Sequence, residues 1–234
     1  MKTIGLLGGM SWESTASYYR ILNEEVRRRL GGLHSAKICL FSVAFAEIEA
    51  LMRRGDWGGI EAILSDAARK VEAGGSDFFL ICTNTIHHIA PAIEKSVRIP
   101  LLHIADAAAE ALTADGIRRV GLIGTRFTME EHFFSGRLSE KYGIEVAVPP
   151  PEDRGEIHRI IFEELCMGRI LDASRDTYLR VIDALAAAGA EAVILGCTEI
   201  ALLVDQEDTA VPLYDTTTLH GLKAVDIALS QGKP

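Results

Sequence analysis

Two short stretches bring residues capable of proton chemistry to the end of an apolar run. Residues 81–88 read ICTNTIHH, and residues 195–199 read LGCTE. A thiol ionises near pH ~8.5 and its pKa shifts readily with its surroundings, so a cysteine open to a cleft can give or take a proton. In the first stretch Cys82 and Thr83 are neighbours, and adjacent residues of a strand point to opposite faces. Only one of them can face a given cleft. In the second stretch Cys197 follows Gly196 at the end of the apolar run AVIL, where a strand should open, and precedes two polar residues. The other thiols read as packing groups: Cys39 lies mid-strand between Ile38 and Leu40, and Cys166 follows Leu165 on a helix. Free cysteine in such settings behaves as a small hydrophobe, and that reading stays open for Cys197 as well.

Other motifs are weaker. LLGGMS, near the start, has the form of a glycine turn leading into a helix, whose amides can receive a carboxylate. It lacks the third glycine of a dinucleotide fingerprint, and the next strand segment, KICLFSVAF, ends on no acidic residue. His87 and His88 are adjacent, so they cannot chelate one metal from one helix face; each reads as a supporting or surface residue. Glu163 and Glu164 could offer one cleft-facing carboxylate, and Arg53 or Arg54 could meet an anion, although solvated faces account for most such residues. The four cysteines are scattered without a C-x-x-C pair, which argues against both disulfides and zinc.

The elements that must position these residues occur twice. IGLLGGMSWESTASYYRIL, from Ile4 to Leu22, matches VGLIGTRFTMEEHFFSGRL, from Val120 to Leu138, with Gly5 on Gly121 and Gly8 on Gly124, an offset of 116. SDFFLICTNT (Ser76 to Thr85) matches AEAVILGCTE (Ala190 to Glu199) at an offset of 114. Each copy is followed by a Pro-led segment, IPLLHIADAAAEAL in one and VPLYDTTTLHGLKAV in the other. Strands alternating with helical patterns predict parallel sheets of βαβ units. The fold expected is therefore α/β, with two similar domains: residues 1–101 plus a returning C-terminal helix in 212–234, and residues 102–211. Ligands of such sheets bind at the carboxyl ends of the strands, and there lie Gly8 to Ser11, Thr83 to Thr85, Thr125 to Thr128 and Cys197 to Glu199. A shared site follows.

Bulk properties narrow the partners. The chain has 234 residues, 48% hydrophobic and 24% charged, and a formal net charge of −9. That balance argues against a nucleic-acid surface. Arg27-Arg28-Arg29 reads as the basic end of an amphipathic helix. No apolar run reaches the ~20 residues that span a bilayer, and MKTIGLLGG lacks a signal-peptide core. No membrane partner and a cytoplasmic location are expected.

Taken with the GLLGGMSWEST opening, the LIGTRFTM turn and the GCTE element, the T-N-T and G-C-T strand ends resemble the cofactor-independent aspartate/glutamate racemase superfamily. Within it the chain looks like the bacterial L-aspartate/glutamate-specific amino-acid racemases. The resemblance extends over essentially the whole chain. It implies two α/β domains related by a pseudo-twofold, an active site in the cleft between them, a homodimer, and no pyridoxal phosphate, other cofactor or metal. Tyr18, Tyr19, Phe133 and Phe134 would be candidates for a dimer contact.

The resemblance also assigns roles. Racemisation needs one group on each face of Cα, and the family's first catalytic cysteine stands directly before Asn-Thr. Here Thr83 holds that place, with Cys82 one position earlier. The internal repeat agrees, pairing Thr83 with Cys197; a register shifted by one residue would pair Cys82 with Cys197 instead. A threonine hydroxyl can donate or relay a proton, while Cys197, as thiolate, abstracts one, and relatives with a Thr/Cys pair favour L-enantiomers. Met10, Met52, Asn84, Thr85, Thr125, Thr198 and Glu199, with the Gly9 and Met10 amides, would surround the substrate. Met52 and Ala44 stand where relatives carry polar or acidic residues, which leaves the side-chain specificity open. Two alternatives accompany this reading: a related cysteine-dependent isomerase or decarboxylase of a small dicarboxylate, and a non-catalytic amino-acid-binding protein.

Overall fold

The apolar runs IGLLG, ICLFS and FFLI form three parallel strands, each too short and too hydrophobic to be stable unless covered on both faces. In this computed structural model, which describes residues 1–230, they belong to the first of two units, Met1–Ile104 plus the segment from His220 onward. Its elements are β1 (Ile4–Gly8), α1 (Trp12–Leu30), β2 (Ile38–Ser42), α2 (Phe45–Arg53), α3 (Trp57–Ala73), β3 (Phe78–Ile81), a 3₁₀ helix at Thr85–Ile89 and α4 (Ala90–Lys95). The sheet order is β2-β1-β3. Strand alternation splits the core in two: Ile4, Leu6, Phe78, Leu80 and Cys82 pack with Tyr18, Leu22 and Val26 of α1. On the other face Leu7, Phe79 and Ile81 pack with Ile60, Leu64 and Val71 of α3. Ser11 and Asp56 cap α1 and α3 by accepting the amides of Ser14 and Gly59.

The second unit, Ala105–Leu219, contains most of α5 (Ile104–Ala114), then β4 (Arg119–Gly124), α6 (Arg126–Glu130), α7 (His132–Tyr142), β5 (Glu145–Ala147) and α8 (Pro151–Glu163). A 3₁₀ turn at Leu165–Met167 leads to α9 (Asp172–Ala187), β6 (Ala192–Gly196), a 3₁₀ helix at Thr198–Leu202, β7 (Leu213–Asp215) and the start of α10 (Thr216–Leu229). The parallel sheet has the order β5-β4-β6-β7. Its principal core joins Ile123, Val193 and Leu195 of the sheet to Ile157, Ile160, Tyr178 and Ile182 of α8 and α9.

The repeat read from the sequence reappears as identical ladder registers. Ile4 lies opposite Phe78 and Leu7 opposite Ile81 in one sheet; Val120 lies opposite Ala192 and Ile123 opposite Leu195 in the other. The Pro-led segments pair alike too: Phe79 N donates to the Pro100 carbonyl at 3.0 Å, and Val193 N to the Pro212 carbonyl at 2.8 Å. After Pro212 the pairing continues as β7, whereas after Pro100 it stops at a single bridge between Phe79 and Leu101.

The division of the chain differs from the one drawn at Leu101 and Val211. Residues 212–219 stay with the second unit because β7 pairs with β6, Val193 opposite Leu213. Residues 102–104 stay with the first, where His220 Nε2 meets the Leu102 carbonyl at 2.8 Å and the Ile104 amide meets His87 Nε2 at 3.3 Å. Tyr18 and Phe134, proposed for a dimer contact, are completely buried within their own units, while Tyr19 is exposed and Phe133 half-buried. Cys39 and Cys166 are half-buried rather than sealed in the core.

Candidate active site

Beyond Ile81 the chain keeps the β3 register for one more residue: the Cys82 amide donates to the Leu7 carbonyl at 2.9 Å. The Cys82 side chain is fully buried beside Tyr18, Leu22 and Leu80, and burial pushes its thiol well above the ordinary range. Cys82 is a packing residue. Thr83 follows with its side chain half-buried and outside that cluster, as strand alternation requires. Both carbonyls of this corner are held by side chains. Ser14 Oγ donates to the Cys82 carbonyl at 2.8 Å, and His87 Nδ1 lies 2.8 Å from the Thr83 carbonyl. Asn84 and Thr85 are buried at the start of the 3₁₀ helix, where the Asn84 carbonyl accepts the His87 amide at 3.0 Å.

The adjacent end of β1 supplies Gly9 and Met10. Gly9 has φ of 92°, and a β-carbon there would run into the backbone of Val43, so glycine is required. Its amide, expected to receive a substrate carboxylate, instead donates to Thr15 Oγ1 at 2.8 Å. Met10 is buried in the α3-side core, and Met52, near the end of α2, packs half-buried against the same cluster.

In the second unit two glycines stand back to back. A β-carbon on Gly124 would lie 2.8 Å from the Gly196 carbonyl oxygen, and one on Gly196 would lie 3.0 Å from that of Ile123. This close approach places Cys197 one residue past the last ladder pair, 8% exposed and against the core that holds Tyr178 and Ile200. Its Sγ–H donates to Glu199 Oε2 at 3.0 Å, and Thr198 Oγ1 donates to the same oxygen at 2.8 Å. Glu199 is buried. Burial first, then the Glu199 carboxylate, push the Cys197 thiol well above its ordinary range. The resting group is therefore a thiol hydrogen-bonded to a carboxylate, a state that the sequence left open. Glu199, expected as a substrate contact, is engaged as the acceptor for that thiol; the C-T-E spacing was its signal.

The 3₁₀ turn Leu165–Met167 packs beside the 3₁₀ helix carrying Thr198 and Glu199. Just before that turn, Glu164 is buried and accepts Ser174 Oγ at 2.5 Å and Arg159 at 2.8 Å. The Ser174 hydrogen bond leads, and with Arg159 it outweighs burial and holds the Glu164 carboxyl below its usual range. Of the two glutamates singled out in the sequence, Glu163 is the solvated one. Thr125 sits at the end of β4, buried, and caps α6 by accepting the Thr128 amide at 3.3 Å.

The structure thus brings Met10, Thr83, Asn84 and Thr85 to adjacent strand ends in one unit, and Thr125, Cys197, Thr198 and Glu199 to adjacent strand ends in the other. Met52 comes from a separate helix. Sequence reasoning passed over Ser14 and left His87 as a supporting or surface residue; both prove to be braces of the Thr83 corner.

The chain is thus built of two repeated parallel α/β units, with a hydroxyl, Thr83, just beyond β3 in one and a thiol, Cys197, just beyond β6 in the other. A model of the Asp/Glu/hydantoin racemase family matches residues 7–223, and the chain belongs to that family. A candidate Asp/Glu racemase from Yersinia pestis is 53% identical, with 98% of this chain and 100% of that one covered at a TM-score of 0.92. An aspartate racemase homologue from Pyrococcus horikoshii OT3 is 34% identical, with 97% and 99% covered at 0.84. Glutamate racemase from Francisella tularensis subsp. tularensis, at 17% identity, 97% and 80% coverage and a TM-score of 0.67, shares the fold. The protein is an isomerase of the racemase type. Among the described residues no helix is long and apolar enough to cross a membrane.

Proposed function

We propose that the enzyme racemises aspartate or glutamate without pyridoxal phosphate, by proton transfer at Cα between Cys197 and Thr83. One observation supports this above others. Thr83 and Cys197 stand at equivalent positions of matched ladders, two residues past the Leu7–Ile81 pair and two past the Ile123–Leu195 pair, and Cys197 is hydrogen-bonded to a buried carboxylate.

The Cα proton is weakly acidic, so a thiol must be ionised before it can take one. Glu199 is placed to accept the Sγ proton at 3.0 Å. The exchange leaves one negative charge on the pair and avoids two adjacent anions. The thiolate then takes the Cα proton of the L-enantiomer, and the Thr83 hydroxyl delivers a proton to the opposite face of the carbanion. Solvent exchange returns the Glu199 proton to Thr83. Buried donors, with Asn84, Thr85, Thr125 and Thr198 as candidates, stabilise the charge that develops at the substrate carboxylate. Because threonine is too weakly acidic to be a resting base, kcat is lower from the D-enantiomer, and an equilibrium constant of one then requires KM for that enantiomer to be lower in the same proportion. The family's homodimer and a cytoplasmic location complete the proposal.

The test is proton NMR in D₂O with L- and D-aspartate and L- and D-glutamate. The Cα signal of an L-substrate should disappear with the wild type and persist with Cys197→Ala. Persistence with the wild type across all four compounds would sink the assignment; loss of carbon dioxide from a malonate, or isomerisation of a maleate, would then identify the chain as one of its cysteine-dependent relatives.

A further inference from the structure

Resting on the assignment of Thr83 above, we infer that His87 is a positioning residue that fixes the Thr83 corner as an uncharged imidazole. His87 lies four residues past Thr83 on the 3₁₀ helix Thr85–Ile89 and is 1% exposed. Its Nδ1 is 2.8 Å from the Thr83 carbonyl, a group that can only accept, so Nδ1 carries the proton. Its Nε2 is 3.3 Å from the Ile104 amide, which can only donate, so Nε2 is bare. Both ends of the ring are thereby specified, and a second proton would set two N–H groups against each other.

The surroundings lock the ring in that state. His103 packs edge-on at 4.5 Å between centroids, and His220 stands at 6.0 Å. His220 is itself neutral: its pKa falls to about 3, chiefly through burial. Its Nε2–H donates to the Leu102 carbonyl at 2.8 Å, which leaves Nδ1 to accept the Tyr18 hydroxyl, also at 2.8 Å. Two neutral imidazoles therefore strap residues 102–104 to the Thr83 corner on one side and to α1 on the other. With Ser14 on the Cys82 carbonyl, both peptide planes flanking Thr83 are held, and these set the direction of its Cα–Cβ bond. A hydroxyl that must meet a carbanion loses rate steeply when misplaced by about 1 Å, whereas substrate binding through other groups does not.

The predicted effect falls on kcat. Asparagine can present an N–H where Nδ1–H was; glutamine reaches the Nε2 end, and leucine offers no hydrogen bond. His87→Asn should retain kcat to within about 3-fold, whereas His87→Gln and His87→Leu should lose about 10- to 100-fold, with KM changed less than about 3-fold. Equal losses in the Asn and Gln variants, or losses confined to KM, would overturn the inference. If Thr83→Ala keeps full activity, the assignment of Thr83 fails, whatever the His87 variants do. If Thr83→Ala is inactive and His87→Leu is not, only the role of His87 fails. A wild-type readout needs no variant: nitrogen-15 NMR at pH 7 should show the His87 ring as the neutral Nδ1–H tautomer, and an Nε2–H or cationic ring would refute the inference.

Discussion

Thr83 and Cys197, just beyond β3 and β6, stand at matching positions of the two sheets, but their surroundings are built on different principles. At β3 the core-facing position is Cys82, the next residue is a hydroxyl, and the supports act on backbone carbonyls through Ser14 and a neutral His87. At β6 the corresponding positions are Gly196 and a thiol, and the support acts on the side chain itself, through the Glu199 carboxylate. A hydroxyl that donates needs aim; a thiol that abstracts needs somewhere to send its proton. The two positions are thus equivalent in the ladders and unequal in chemistry, and under the mechanism proposed above that inequality gives the two enantiomers different kcat values.

The largest effect should come from exchanging the partners at the β3 end. Thr83→Ala should lower turnover of the L-substrate by 100-fold or more, within the range typical of a lost general acid. Cys82→Ala, a core truncation, should cost stability of about 1–2 kcal/mol and leave turnover within a few-fold. The reverse pattern, measured by polarimetry and thermal melts on the same samples, would mean that the ladders are catalytically offset by one residue. Thr83→Cys should make the two ends more alike and raise the rate from the D-enantiomer.

Glu199→Gln is the next strongest. Without the carboxylate the thiol must ionise by itself, and burial still holds it above the ordinary thiol range, so it is almost entirely protonated at pH 7. Turnover at pH 7 should therefore drop by more than the ~30-fold expected for an unperturbed thiol, and recover only as the pH rises above the ordinary thiol range. A variant with the wild-type pH profile would remove Glu199 from the proton path.

The smallest effect concerns the glycines that precede both ends. At Gly124 a β-carbon meets a carbonyl oxygen, whereas at Gly8 it meets the movable side chain of Thr15. Gly124→Ala should destabilise by roughly 1–3 kcal/mol, typical of overpacking against rigid surroundings. That corresponds to a loss of about 2–12 °C in Tm for a chain of this size. An unchanged melting temperature would show that the β4–β6 contact relaxes freely.

Much of this was legible in the sequence because it is local or periodic. The apolar runs located β1, β3, β4 and β6, and the two offsets anticipated the ladder registers residue for residue. The polar strand ends named Thr83 and Cys197. Contacts across the chain were not legible. Nothing near Pro212 tells that its strand pairs with Val193 while the matching Pro100 segment makes only a bridge. The role of His87 depends on Ile104, and the state of Cys197 depends on burial as much as on the neighbouring Glu199. In each case the residue type was visible and its partner was not. Arg28 and Arg29 show the same gap: the basic run was plain, but not that both hold Glu25, with Arg29 also reaching Asp226.

The path of α10 carries a consequence for synthesis. The second unit is continuous in sequence from Ala105 to Leu219, but the first is built from two segments that lie before and after it. Ala224, Val225 and Ala228 fill the core beneath β1 and β3, and the Lys2 amide waits for the Ala228 carbonyl at 2.9 Å. On the ribosome, where domains fold as units while the chain emerges, the later-translated half can mature first. The unit begun first has its three strands early but lacks part of the core on one face until α10 has left the exit tunnel.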